Sequence, residues 1–298
     1  MPAKTKNFIF GIFSILICLN ILAWIEFYNL NKTRLLEVNF FDVDQGDAIF
    51  IVTPQKHQIL IDGGPSSKIL EKLGEEMPFW DRTIDLIILT HPEKDHLIGL
   101  IEVLKRYKIE NVLWTGIKRD TAEYEEWLKL IKEEGAKIFI AKAGQKVIIP
   151  KSVLEILYPF ENLEGQEFNN SNDTSIVAKL IFGENSFLFT GDVSKSVEKK
   201  LLDKKVDIES DVLKVSHHGS KTSSSEKFVS VVFPEIAVIP VGKKNSYNHP
   251  HQEVLEVLKN YGKILRTDLN GDIKIICPVR NLGQKKLNNF FCEVITGK

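Results

Sequence analysis

The chain has 298 residues, a net charge of −1, 43% hydrophobic residues and 27% charged residues. These values exclude a disordered chain, a collagen-like repeat and a strongly basic coat for nucleic acid, and they supply core enough for one large domain or two small ones. The three cysteines, Cys18, Cys277 and Cys292, fit no zinc knuckle and no disulfide scaffold. A Cys277–Cys292 bridge is within geometric reach, but two free thiols are expected.

In chain order, residues 8–25 (FIFGIFSILICLNILAWI) come first, apolar apart from Ser14 and Asn20. As a helix they would be about 27 Å long, against a hydrocarbon core of about 30 Å. Trp24, Tyr28 and flanking lysines suit the interfaces. No small-x-small cleavage site follows, because Trp24 and Ile25 come after Ala23. The expectation is a single-pass membrane protein, with an anchor over 1–28, a linker over 29–36 and a domain over 37–298. Lys4 and Lys6 precede the run while Lys32 and Arg34 follow it, so the charge bias is weak. The expected orientation leaves the domain on the extracytoplasmic side.

Past the linker, apolar runs predict strands over residues 40–53 and 57–62, with a turn at Pro54. Apolar spacings of three and four predict helices over 68–77 and 97–107, with strands over 83–90 and 111–114. Residues 120–135 read as an amphipathic helix ended by Gly135. Strands follow over 137–141 and 146–157. The polar stretch 160–173 (FENLEGQEFNNSND) is a loop or lid. A hairpin is predicted over 175–182 and 186–190, turning at Gly183. Then come a helix over 193–204, strands over 211–216 and 236–242, and a helix over 251–262. Strands over 263–267 and 272–277 are expected to pair through Asn270-Gly271, and the apolar patch 290–295 to add an edge strand. The order is α/β, strand-rich with interspersed helices.

Chemistry gathers at four of the strand ends. HPEKDH spans His91 to His96, directly after TIDLIILT. FLFTGD ends in Gly191-Asp192, DVLKVSHHGS ends beyond His217-His218, and NSYNHPH follows IAVIPVG. Of the seven histidines, all but His57 lie just after one of these strands. Each loop has a structural reading on its own, as strand cap, turn or solvated segment. Together they predict loops converging on one metal site, because strand ends in layered α/β folds open into binding loops.

From about residue 38 to 276 the chain resembles the metallo-β-lactamase fold, in particular the soluble domain of ComEC-type competence proteins. The resemblance is carried by FFDVDQGDAIFI, ILIDGG, LTHPEKDHLIGL, NDTSIV, LFTGD, LKVSHHGSKTSS, NSYNHP and RTDLNGDIKI, in the family's order. It implies a four-layer αββα sandwich, here preceded by one N-terminal transmembrane helix, and one or two divalent cations, Mn²⁺ or Zn²⁺. The family pattern His-x-His-x-Asp-His is matched by His91, Asp95 and His96, with Glu93 in place of the middle histidine. Asp192 matches a bridging carboxylate, and His217 or His218 a late histidine ligand. Adjacent strand residues face opposite ways, so one of the two is a ligand. His217 is favoured, leaving His218 towards substrate. The expected ligands are therefore His91, Glu93, Asp95, His96, Asp192 and His217, with Asp95, Asp192 and His249 catalytic.

A further family histidine is missing, and Asn172 and Asp173 stand in its place. They are expected to support the ligands, as are Asp47 and Asp62, which also read as turn residues. Ser220, Lys221 and Thr222, with Asn245, Tyr247 and His249, offer hydroxyls, a cation and an imidazole suited to a phosphate oxygen. The expected function is that of a membrane-anchored phosphodiesterase, a nuclease acting on DNA through a metal-activated hydroxide. One span conducts no DNA, so a role in uptake would need a separate channel protein. The alternatives are hydrolysis of a small ester, lactone, lactam or thioester, and a non-catalytic membrane-tethered binding module.

Overall fold

The computed structural model describes residues 3–31, 35–278 and 292–297, with side chains in the first segment described from 10 to 25. The chain divides into two units, Met1–Arg34 and Leu35–Lys298. Helix α1 (Ala3–Asn31) forms the first, and its large apolar side chains from Phe10 to Ile25 are exposed. Among the described residues no helix is long and apolar enough to cross a membrane.

The second unit is built from two sheets. The chain runs through β1 (Leu35–Phe40), β2 (Ile49–Val52), β3 (Gln58–Ile61), α2 (Lys68–Glu76), β4 (Thr83–Leu89), α3 (Lys94–Leu104), β5 (Lys108–Trp114), α4 (Ala122–Glu134) and β6 (Lys137–Ile140). It crosses to β7 (Lys146–Ile149), β8 (Ser152–Tyr158), β9 (Val177–Phe182), β10 (Asn185–Phe189), α5 (Lys195–Asp203), β11 (Val212–Lys214), α6 (Glu226–Val232), β12 (Ile236–Ile239), α7 (Gln252–Lys259) and β13 (Lys263–Arg266). A helical turn, α8 (Thr267–Asn270), leads back to β14 (Ile273–Pro278) and β15 (Glu293–Thr296). The first sheet has the order β15-β14-β1-β2-β3-β4-β5-β6 and the second β13-β12-β11-β10-β9-β8-β7.

Side-chain alternation assigns each strand two faces. Leu86 and Ile88 of β4 join the core between the sheets, while Ile87 and Leu89 pack with the residues of α2, α3 and α4. Val212 of β11 faces the other sheet, and Leu213 packs with Val197, Phe228 and Val254 of α5, α6 and α7. Helix α4 shows how the outer layers form. Tyr124, Trp127 and Ile131 are buried, Thr121 Oγ1 accepts from the Tyr124 N–H at its start, and left-handed Gly135 ends it. The result is helix, sheet, sheet, helix, as the sequence implies.

Several boundaries differ from expectation. The predicted strand over 40–53 is two strands, because Asp44 and Gly46 take positive φ of 69° and 149° and bend residues 41–48 into a loop. The predicted strand over 146–157 is the β7–β8 hairpin, with Lys151 left-handed at its turn. Helix α3 begins at Lys94, so Asp95 and His96 lie in its first turn. Helix α6 was not expected. Strands β13 and β14 do not pair; β13 lies parallel to β12 and β14 antiparallel to β1. Asn270 there closes α8 by accepting from the Arg266 N–H at 2.9 Å, instead of making a hairpin turn. Cys277 and Cys292 are not free thiols but a disulfide. The antiparallel β14–β15 pairing, with Ile276 opposite Glu293, brings their Cα atoms to 4.3 Å. β15 is the expected edge strand; residues 279–291 lie outside the described ones.

One close approach positions the first turn of α3. Gly63 N–H donates to His96 O at 2.8 Å, and Gly99 N–H to Gly64 O at 2.9 Å. A Cβ on Gly99 would lie 1.8 Å from Gly63 O. The helix can thus sit directly on the loop after β3. Gly99→Ala should cost about 1–3 kcal/mol through overpacking. A lowered midpoint in thermal unfolding, with weaker divalent-cation binding, is the expected readout.

Candidate metal centre

Parallel pairing explains why the polar loops meet. β3 to β6 run parallel, as do β10 to β13, so each group delivers its C-terminal ends to one edge. Asp62 follows β3, His91 follows β4, Asp192 follows β10, His217 and His218 follow β11, and His249 follows β12. The imidazoles come into contact there. Ring centroids lie 4.2 Å apart for His91 and His96, 5.6 Å for His96 and His218, and 5.5 Å for His217 and His249.

Among the described residues two groups offer donor atoms within 4.8 Å of one another: Asp95, His96, Asp192 and His218, the larger, and Asp47, Asp62 and His96 behind it. Asp192 Oδ2 lies 3.4 Å from the Nε2 of both His96 and His218, and Asp95 Oδ2 lies 3.4 Å from His218 Nε2. Both Nε2 atoms are buried and have no hydrogen-bond partner. The other ring nitrogens are occupied. His96 Nδ1 is 2.8 Å from Asp62 Oδ2, and His218 Nδ1 is 2.8 Å from Pro240 O. Asp62 in turn accepts from the Thr90 N–H and hydroxyl at 2.8 and 2.7 Å. Carboxylate and carbonyl partners of this kind set the tautomer that leaves Nε2 free to ligate.

The electrostatics call for positive charge. Burial alone would push both imidazoles down. At His96 the carboxylates of Asp192, Asp62 and Asp95 outweigh it and hold the ring well above its usual range. At His218, Asp192 and Asp47 do the same, and its pKa is pushed up to about 10. Burial would raise Asp192, yet His218, His96 and Lys214 hold it well below the usual carboxylate range. Protons on the rings thus take the place that a cation would fill. Two nitrogens and two carboxylates suit a divalent transition metal.

Lys214 escaped the sequence reading. Its side chain is fully buried, ion-paired with Asp47, 3.2 Å from Asp192 Oδ1 and 2.7 Å from Gly191 O. The signal was a lysine inside the apolar strand DVLKV. Arg119 and Ser171 were also missed. They hold Glu93, whose Oε1 accepts from Arg119 Nη2 at 2.6 Å and from the Ser171 hydroxyl.

His218 belongs to the larger group, while His217 lies at its margin with Nε2 4.0 Å from Asp192. The alternating-face argument does not apply, because both residues are left-handed, at φ 50° and 51°, and β11 has already ended at Lys214. His91 is buried against His96, with Nδ1 3.0 Å from Thr90 Oγ1 and Nε2 unpartnered. Asp47 sits behind the group, 3.4 Å from His218 Nδ1. Asn172 Nδ2 lies 3.4 Å from His217 Nε2. Asp173 turns to the start of α5, accepting from Ser194 N–H and the Ser196 hydroxyl at 3.3 Å each.

The rim has two loops. Ser220 Oγ lies 2.9 Å from Thr222 Oγ1, which lies 3.4 Å from His217 Nδ1, and Lys221 between them is exposed. Glu198 anchors this loop from below, accepting from the Ser224 and Ser225 N–H groups and the Ser225 hydroxyl. In the second loop Asn245 spends its amide on the loop itself. It donates to Gly242 O and His249 O and accepts from His249 N–H. Tyr247 is exposed and stacks on His249, ring centroids 5.5 Å apart. Burial first, then His217, His218 and His251, bring His249 down to about 4, so it is neutral near pH 7.

Two helix-flanked sheets with a histidine–carboxylate nest at the strand ends define a metallo-hydrolase sandwich. The profile of the metallo-beta-lactamase superfamily matches residues 41–243, and the chain belongs to that superfamily. It is 36% identical over 258 residues to ComE operon protein 3 of Bacillus subtilis (strain 168), covering 80% of this chain and 32% of that protein. It is 31% identical over 272 residues to Recombination protein 2 of Haemophilus influenzae, covering 89% of this chain and 31% of that protein. The expected resemblance to competence proteins is borne out. The chain spans about a third of the length of these curated relatives. Among solved structures, the metallo-beta-lactamase fold protein YhfI of Bacillus subtilis aligns with a TM-score of 0.51 at 12% identity, over 77% of this chain and 96% of that one. That likeness is one of fold.

Because cations compete with protons on His96 and His218, divalent-metal affinity should rise with pH between about 6 and 8 and binding should release protons. Calorimetric titration with Mn²⁺ in buffers of different ionisation enthalpy measures both. Affinity that is flat over that interval, with no proton release, would contradict this reading of the electrostatics.

Proposed function

We propose that this chain is a membrane-anchored, metal-dependent phosphodiesterase, a nuclease acting on DNA. The observation that carries the reading is the convergence of Asp95, His96, Asp192 and His218 beside a rim of hydroxyls and exposed Lys221. Relatives named as a recombination protein and a competence protein support nucleic acid as the substrate class. A divalent cation in the nest supplies Lewis acidity towards a phosphoryl oxygen and makes water easier to deprotonate.

The chain's own residues do the rest. Asp192 Oδ2 and the Nε2 atoms of His96 and His218 would hold the cation, while Lys214 and Asp62 hold Asp192 and His96 in register. Ser220, Thr222 and Lys221 receive the non-bridging phosphate oxygens, which carry the charge of the diester. His249, neutral near pH 7, accepts a proton and returns one to the leaving oxygen. Exposed Tyr247 offers a face for a base next to the scissile phosphate. With half its donors oxygen, the nest suits Mn²⁺ as well as Zn²⁺.

The membrane reading rests on α1, whose apolar side chains between Phe10 and Ile25 are exposed in this chain. A bilayer would cover them. The Cys277–Cys292 disulfide favours an oxidising compartment, hence an extracytoplasmic domain. In that setting a separate channel protein would carry the DNA itself.

Cleavage of a single-stranded oligonucleotide with Mn²⁺, Mg²⁺ or Zn²⁺ tests the activity. Asp192→Ala should abolish turnover, and Lys221→Ala should raise KM by an amount that shrinks as salt increases. Wild-type turnover in Asp192→Ala would remove the metal mechanism. A wild type that leaves DNA intact but hydrolyses a lactone or thioester would move the protein to the small-ester class. One that binds DNA without cutting any substrate would mark a binding module.

The anchor is tested by fractionation. The full chain should pellet with membranes and need detergent for release, while a chain starting at residue 35 should not. Uncleaved full-length chain in the detergent-free supernatant would refute the anchor.

A further inference from the structure

We infer that this centre takes one divalent cation rather than two, and that Lys214 and Arg119 occupy the charge positions a second cation would need. The inference rests on the metal-dependent reading of the same site. Asp95, His96, Asp192 and His218 form one closed set of donors. A neighbouring cation would need donors of its own, and the nearby groups are His91 Nε2, His217 Nε2, the Glu93 carboxylate and the second oxygen of Asp192; the other buried group, Asp47, Asp62 and His96, is closed by Lys214 on Asp47 and by Thr90 and His96 Nδ1 on Asp62.

The two carboxylates among them are engaged. Asp192 Oδ1 faces Lys214 Nζ at 3.2 Å. That ammonium has no room to withdraw, since its side chain is fully buried and held by Gly191 O and Asp47. A dication on Oδ1 would sit against a fixed positive charge in a site shielded from water, where repulsion is strong. Glu93 is bound through Oε1 to the Arg119 guanidinium and the Ser171 hydroxyl. Its negative charge is matched locally, and releasing it would strand Arg119. Between His96 and His217 the chain has no histidine to add, and Asn172 directs its amide nitrogen to His217 at 3.4 Å. What remains for a second cation is the nitrogens of His91 and His217 with no free carboxylate between them, fewer than the three protein ligands such a site needs.

The same arrangement gives the two cations a positive role. Lys214 restricts Asp192 to presenting Oδ2 to the nest, which fixes where the bound cation lies. Arg119, partly exposed, holds the Glu93 carboxylate in an ion pair on the side of the site where the second metal would have been.

The test is metal content, read independently of activity. Full-length protein in detergent is stripped with EDTA, loaded with excess Mn²⁺ and freed of unbound ion. Elemental analysis and native mass spectrometry should give one equivalent, and the electron paramagnetic resonance spectrum should be that of an isolated Mn²⁺. Asp95→Asn should lower the content severalfold, and His91→Ala should leave it at one. Glu93→His combined with Arg119→Ala restores a nitrogen donor and removes the guanidinium, and should take up a second equivalent. Two equivalents in the wild type, with a spin-coupled spectrum and a fall to one in His91→Ala, would overturn the inference while sparing the metal reading. A double variant that stays at one equivalent overturns the role given to Arg119. No retained metal in the wild type would instead overturn the metal reading itself, and this inference with it.

Discussion

The centre depends on one buried ion pair network, the ammonium of Lys214 between Asp47 and Asp192. Asp47 comes from the loop between β1 and β2 in the first sheet, and Lys214 and Asp192 come from β11 and the end of β10 in the second. The network therefore joins the two sheets where the histidine-bearing loops emerge. Lys214 reaches it because alternation along β11 turns Val212 and Lys214 to the same side, between the sheets. Stripping water from each charge costs several kcal/mol, and losing one partner of such a pair costs about 3–5 kcal/mol. That cost fixes the geometry: neither carboxylate can move away from the lysine, and Asp192 is left with one oxygen for the site.

Backbone conformation does comparable work. Asp62, His217 and His218 all have positive φ, as does Gly191. For residues other than glycine such conformations cost of order 1–3 kcal/mol each. Here each bends the chain just beyond a strand, where an extended continuation would carry the side chain past the site. Gly191 has no room for a side chain, since a Cβ would lie 2.8 Å from the Ser175 Cβ. The surrounding hydrogen bonds hold these bends in place, among them Asp62 to Thr90 and Ser223 to the Ser216 and Ser220 carbonyls.

The fold leaves the substrate open, because sites rather than folds carry function. What distinguishes this site is the chemistry around the nest. The hydroxyl loop is pinned by Glu198 from α5, whose carboxyl is raised by burial despite its bonds to Ser224 and Ser225. The second loop is closed on itself by Asn245 and presents exposed Tyr247 and the unpartnered Nδ1 of His249 beside the nest.

Much of this was legible in the residues themselves. Apolar runs ending in Thr-His, Gly-Asp and His-His marked the strands and their C-terminal ends, and HPEKDH marked Asp95 and His96, because short-range patterns record which residues follow a strand. Other features depended on contacts across the fold. The choice of His218 over His217 rests on two left-handed residues that no alternation rule describes. Glu93 reads as a ligand in HPEKDH, and only the fold brings Arg119 and Ser171 to it from 26 and 78 positions away. Lys214 read as an oddity in an apolar strand until Asp47 arrived from the other sheet. The separation of β13 from β14, and the Cys277–Cys292 bridge, followed from which sheet each strand joined. Local sequence determined which groups stood at the strand ends. Only the packing of two sheets decided which of those groups met, because burial makes a charge choose a partner and the partner lies far along the chain.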